Sequence, residues 1–196
     1  MKKVAVFLAD GFEECEGLLV VDILRRADVE VVTASVMKRL QITSSHGVKL
    51  QADALAEDID YDTTDMIVLP GGMPGTAHLS ENKIVREQCI AFAEGNIEDV
   101  SAGITGTIDG KKYIAAICAA PSVLAELGLL EGKRATCHTN FEDKMAGAVV
   151  TRESVTVADN VITGQGLGAA IPFALKLVEV LADKKTAEGI AKAICW

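Results

Sequence analysis

Short unbroken apolar runs recur along the chain, each closed by a turn and followed by a stretch with helical spacing of its apolar residues. Val4 to Ala9 is one such run, ending in Asp10-Gly11, and it reads as a strand covered on both faces. Met66 to Leu69, closed by Pro70-Gly71-Gly72, and Tyr113 to Ile117, closed by Cys118, repeat the pattern. Glu13 to Arg26 carries acids first, then Leu18, Leu19, Ile23 and Leu24, then Arg25-Arg26. That charge order suits a helix dipole, and the spacing predicts a helix. Val29 to Val36 predicts a second strand, and the alternating Gly47 to Ala52 an exposed strand or hairpin arm. Ser80 to Phe92 predicts a helix with Ser80 as its N-cap and Ile84, Ile90 and Phe92 on one side. Pro121 suits the first turn of another helix, which Gly128 stops.

Short β-rich pieces at Ala135 to Thr139, Val149-Val150, Val155 to Ala158 and Val161 to Thr163 precede two last helices, Ala169 to Leu181 and Thr186 to Ile194. Strands alternating with helices imply a doubly wound α/β fold with a mostly parallel sheet. No repeat, low-complexity tract or linker interrupts it, so residues 1–196 are read as a single domain. The polar Gly95 to Lys112 has the weakest pattern. It enters the Tyr113 strand from its amino end, which is expected to keep it out of the pocket and free for assembly.

With 28 acidic residues against 19 Lys plus Arg, the net charge is −9, and no basic cluster offsets it. Nucleic acid and anionic membranes are therefore not expected partners, since phosphate binding needs concentrated positive charge. The apolar run after Met1-Lys2-Lys3 is too short for a signal peptide, and no stretch approaches the ~18 apolar residues of a membrane span, so a cytoplasmic protein is expected. Five cysteines without a CxxC pair suit neither a disulfide framework nor a zinc site.

In open parallel sheets, ligands bind beyond the carboxyl ends of the strands. Three turns there carry chemistry: Asp10 to Glu16, Gly71-Gly72, and Cys118-Ala119-Ala120. A cysteine between a buried strand and a helix N-terminus is placed for a thiolate, with a pKa below the free value of about 8.5. It fits equally a small apolar plug. The amides at Gly71-Gly72 and Ala119 could hold an oxyanion, and His138 could shuttle protons, whereas His46 and His78 have weaker claims. Thr163 to Gly168 reads GxGxG rather than GxGxxG and has no βαβ unit after it, so it predicts a close strand-to-helix crossing and not dinucleotide binding. No phosphate loop is present and no cofactor is expected. The remaining cysteines are taken as structural and slower to alkylate than Cys118.

Together, Ala9-Asp-Gly-Phe-Glu-Glu-Cys-Glu16, Val68-Leu-Pro-Gly-Gly72, Ala115-Ala-Ile-Cys-Ala119 and His138 with Asp143-Lys-Met145 resemble the ThiJ/PfpI superfamily, in the branch of the Parkinson-disease deglycase. The resemblance implies a flavodoxin-like fold, a homodimer, and a reactive cysteine at a strand-helix elbow. It puts Cys118 at the nucleophile, Glu16 at the glutamate that contacts it, and His138 at the nearby histidine. Gly72 and Ala119 then fall at the oxyanion amides, and Asp22 at an acid close to the histidine. Two acids in a dry pocket do not both ionise cheaply, so Glu16 is expected protonated beside a Cys118 thiolate. The implied activity is cofactor-independent and cysteine-dependent, acting on 2-oxoaldehydes or their protein adducts. The alternative is a redox-sensing stress protein or chaperone whose Cys118 is oxidised. Ala119 stands where the protease-like branch has histidine, which disfavours proteolysis, and a role in thiazole monophosphate biosynthesis has no support in the residues.

Overall fold

The computed structural model describes residues 1–94 and 111–196, so of Gly95 to Lys112 only the last two lie within the described residues, and the expected role in assembly lies outside them. The chain forms strands β1 (Lys3–Leu8), β2 (Glu30–Ser35), β3 (Gln41–Thr43), β4 (Lys49–Gln51), β5 (Ala54–Leu55), β6 (Met66–Leu69) and β7 (Tyr113–Ile117). Strands β8 (Arg134–Ala135), β9 (Val149–Val150), β10 (Val155–Ala158) and β11 (Val161–Gly164) follow. The helices are α1 (Glu14–Arg26), α2 (Gly75–Glu81), α3 (Lys83–Glu94), α4 (Pro121–Glu126), α5 (Ala170–Leu181) and α6 (Lys184–Ala193).

Seven strands make one sheet in the order β10-β11-β7-β6-β1-β2-β5, parallel throughout except for the β10–β11 hairpin. The alternation of side chains splits the apolar runs between two cores. Val4, Val6 and Leu8 face a layer containing α1 and α5, while Ala5 and Phe7 face one containing α3 and α4. Both faces are covered, which is why these strands read as continuous apolar runs. On α5, Ala170, Phe173, Ala174, Leu177, Val178 and Leu181 are buried, one face of a helix laid on the sheet.

The chain leaves β1 for β2 on one side and returns to β6 on the other, so the strand order reverses at β1. The turns after β1, β6 and β7 therefore meet at the carboxyl edge of three adjacent strands.

Several elements differ from their sequence pattern. The predicted helix from Ser80 to Phe92 is two helices: Ser80 lies in the last turn of α2, and Asn82 Oδ1 accepts the Val85 amide at 3.1 Å to start α3. An asparagine cap outcompeted the serine because α2 had already claimed it. The strand expected over Ala135 to Thr139 ends at Ala135, so His138 lies on a loop. Helix α6 begins before Thr186 because Asp183 caps the Thr186 amide at 2.7 Å. Gly47 to Ala52 contributes β4, one arm of an antiparallel hairpin with β3.

Candidate active site

Strand β7 delivers Cys118 into a left-handed conformation, φ 65°, which side-chain-bearing residues adopt at a cost of about 1–3 kcal/mol. Three backbone bonds hold it there. Its amide donates to Gly164 O at 3.0 Å, its carbonyl accepts from the His138 amide at 2.8 Å, and the Ala120 amide turns back to Ile117 O at 3.1 Å. The small side chains of Ala119 and Ala120 are buried behind the elbow, and Pro121 opens α4.

Glu16, in the first turn of α1, is fully buried. Its Oε2 accepts the Gly71 amide at 3.0 Å, while its buried Oε1 receives no N–H or O–H donor. Gly71 stands between the acid and the thiol: a Cβ there would lie 2.6 Å from both Cys118 Cβ and Glu16 Oε2. Gly72, φ 90°, would press a Cβ against the Glu13 amide, next to the 2.8 Å bond from that amide to Gly71 O. Pro70-Gly71-Gly72 is therefore needed twice, for close approach and for a left-handed turn.

The proton inventory differs from the sequence expectation. Burial, then the charge of Glu16 and the hydrogen bond to it, push the Cys118 thiol up to about 12, against the amides of Ala119 and Gly72 that face the sulfur. Burial pushes Glu16 up to about 7, with the Glu13 charge adding and the Cys118 thiol and Gly71 amide pulling down. A depressed thiol pKa is thus corrected. Two amides and a helix end favour the thiolate, but loss of water and a facing carboxylate outweigh them. Burial holds both acids up, and the two titrate as a pair.

His138 caps a short turn, Thr139–Lys144, and its Nδ1 accepts the Asn140 amide at 3.2 Å. In the neutral ring this leaves the proton on Nε2, so His138 is a donor there rather than a base. The strap Gln165 to Ala169, between β11 and α5, passes over both groups: a Cβ on Gly166 would lie 3.5 Å from His138 Cδ2 and 4.0 Å from Cys118 Sγ. Glu16, Cys118, His138, Glu13 and this strap line a cavity of about 590 Å³. Gly164 shows why the GxGxG run is there, since a Cβ would come within 2.9 Å of Ile117 and Phe173 where β11 crosses α5.

The structure does not bring Asp22 to this cavity. It lies exposed on α1, bonded to Arg26 Nε at 2.7 Å, because the helical periodicity turns it away from the face that carries Glu16. Cys89 and Cys137 are buried as expected, but Cys15 and Cys195 are exposed, so burial does not slow their alkylation. Sequence reasoning missed Glu13, Gly71 as the spacer, and the strap with Gln165. The glycine run was the visible signal for the strap. Among the described residues, Glu13, Glu14 and His46 place ligand-type atoms within 4.8 Å of one another, and the Ser45 hydroxyl already donates to both carboxylates at 3.3 Å.

Residues 2–180 match the profile of the DJ-1/PfpI family. Protein DJ-1 homolog B of Arabidopsis thaliana is 35% identical across 97% of the chain, which spans 40% of that relative's length. The glutathione-independent glyoxalase DJR-1.2 of Caenorhabditis elegans is 31% identical, covering 93% of the chain and 90% of the relative. A solved structure of Toxoplasma gondii DJ-1, described as oxidized, superposes with a TM-score of 0.88 at 35% identity, covering 100% of this chain and 99% of that one.

Proposed function

Because the chain belongs to the DJ-1/PfpI family, we propose that it is a cofactor-independent, cysteine-dependent enzyme acting on 2-oxoaldehydes or the adducts they make on proteins. The observation that carries the reading is the meeting of the Cys118 thiol and the Glu16 carboxyl across Gly71, at the floor of an open cavity.

The proton positions assign the roles. Ionised Glu16 takes the thiol proton as sulfur adds to the aldehyde carbon, and passes it to the carbonyl oxygen, giving a hemithioacetal. The carboxylate, free again, removes the proton from that carbon to give an enediol and returns it to the neighbouring carbon, while the hydroxyl proton of the first oxygen passes to the second, giving a thioester of a 2-hydroxy acid. Water then cleaves the thioester, releasing the 2-hydroxy acid and restoring the thiol. Carbon is oxidised at one centre and reduced at the next, so no external oxidant is required. The amides of Gly72 and Ala119, with His138 Nε2–H, are the donors for developing charge on oxygen. Assembly as a homodimer is part of the same proposal, and sedimentation checks it.

The test is incubation with methylglyoxal, following lactate, with Cys118→Ser and Glu16→Ala alongside. Lactate from the intact protein and none from either variant is the expected result. The redox-sensing reading draws on the same amides and carboxyl, which would hold the oxygens of a Cys118 sulfinate formed by peroxide. No lactate from the intact protein, with stoichiometric sulfinate after mild peroxide, would select it.

A further inference from the structure

The histidine that serves as a donor in the proposed reaction stands on a loop, with no strand or long helix to hold it. Strand β8 ends at Ala135, and the short turn of Thr139–Lys144 begins only after His138. Two bonds fix the three residues between. The Thr136 amide donates to Thr163 Oγ1 at 2.9 Å, and the His138 amide to Cys118 O at 2.8 Å. Cys137, between them, is buried in the layer that contains α3 and α4.

Thr163 lies on β11 and is 1% exposed. Val161, two residues earlier, faces the layer with α3 and α4, so the alternation of the strand turns Thr163 to the same side. A hydroxyl buried in such a layer costs free energy unless it is paired. This one is paired twice: it accepts the Thr136 amide and donates to the carbonyl of Thr156, its register partner on β10, at 3.5 Å. Valine would fill nearly the same space, so packing alone does not call for threonine. The next residue, Gly164, accepts the Cys118 amide at 3.0 Å. Adjacent residues of one strand thus hold the thiol and the imidazole, the first through a carbonyl and the second through a side chain.

We propose that Thr163 is a positioning residue, whose hydroxyl sets where the His138 ring stands relative to Cys118 and so how well Nε2–H meets the oxygen that gains charge. The part in turnover rests on the glyoxalase-type reading; the tie between Thr163 and the His138 loop does not.

Thr163→Val keeps the shape and removes the acceptor. It should lower kcat for methylglyoxal by about tenfold and leave KM within about twofold, since a misplaced donor weakens the transition state more than the ground state. Thr163→Ser, which keeps the oxygen, should recover most of that loss. In a His138→Ala background Thr163→Val should cost nothing more, because its effect runs through the ring. Thr156→Val removes a buried hydroxyl bonded to Thr151 Oγ1 on the neighbouring strand, and kcat should stay near that of the intact protein. Amide hydrogen exchange reads the tie without turnover: Thr163→Val should speed exchange at Thr136 and His138 by about tenfold, with the amides of β1 unmoved. Should that variant fail to fold, Thr163→Cys, with sulfur as a weaker acceptor, gives the same comparisons at smaller amplitude. An unmoved His138 amide, an equal loss of kcat in the His138→Ala background, or an equal loss from Thr156→Val overturns the proposal. No lactate from the intact protein, with faster exchange in Thr163→Val, ends the enzyme reading and leaves the tie. Lactate from the intact protein, with exchange unmoved, does the reverse.

Discussion

Cys89 and Cys118 both have thiols pushed up to about 12, in regions that otherwise share little. Cys89 sits on α3, fully buried in the layer beneath the sheet, where burial is the main cause and Arg86 opposes it weakly. Cys118 stands on a strained elbow, half-buried, with a carboxyl on one side, two amides aimed at its sulfur and a cavity above. An elevated thiol pKa therefore does not separate an inert cysteine from a reactive one. What separates them is a neighbour able to take the proton and donors waiting for the charge.

The strongest way to break the comparison is Glu16→Gln, which leaves Cys118 without a proton acceptor. Turnover of methylglyoxal is expected to fall by about 10²–10⁴-fold, with any rise of activity through about pH 7 abolished. Gly71→Ala comes next: the added Cβ wedges thiol from carboxyl at 2.6 Å, with a loss of about 10²-fold in turnover and about 1–3 kcal/mol in denaturant stability.

The pH dependence of stability sharpens it further. Folding raises Glu16 from 4.5 to about 7, so the folded state favours the neutral carboxyl. That contribution is complete below about pH 4.5 and is lost as pH rises through about 7, a fall of roughly 3 kcal/mol that urea titrations should show and Glu16→Gln should remove. Cys89→Ala, which leaves a small void in the lower layer, is expected to cost about 1 kcal/mol and leave turnover unchanged. The smallest effect belongs to Asp22→Asn: an exposed ion pair is lost, stability moves by less than about 0.5 kcal/mol and turnover stays as it was. A large loss there would mean that Asp22 reaches the site in a way the isolated chain does not show.

The α/β alternation, Met66 to Leu69, Tyr113 to Ile117 and the opening of α4 at Pro121 were legible in the chain because two-sided burial and proline leave local signatures. Cys118 and Glu16 were legible through their motifs, and their meeting at the strand-order reversal follows from the topology those motifs imply. Ser80 was misread as a cap because both it and Asn82 fit the pattern, and only the packing of α2 chooses between them. Asp22 was drawn to the site by motif position alone, though the turn of α1 carries it outward.

Local chemistry thus determined which elements form and which side chains are capable of reaction, since propensity, capping and apolar period act over a few residues. The ionisation of Cys118 and Glu16, the spacer role of Gly71 and the placing of Glu13 on the cavity wall were decided only by the fold. Desolvation and Coulomb energy depend on distances between turns 55 residues or more apart in the chain, as the bond from Gly71 to Glu16 spans, and no window of sequence contains those distances.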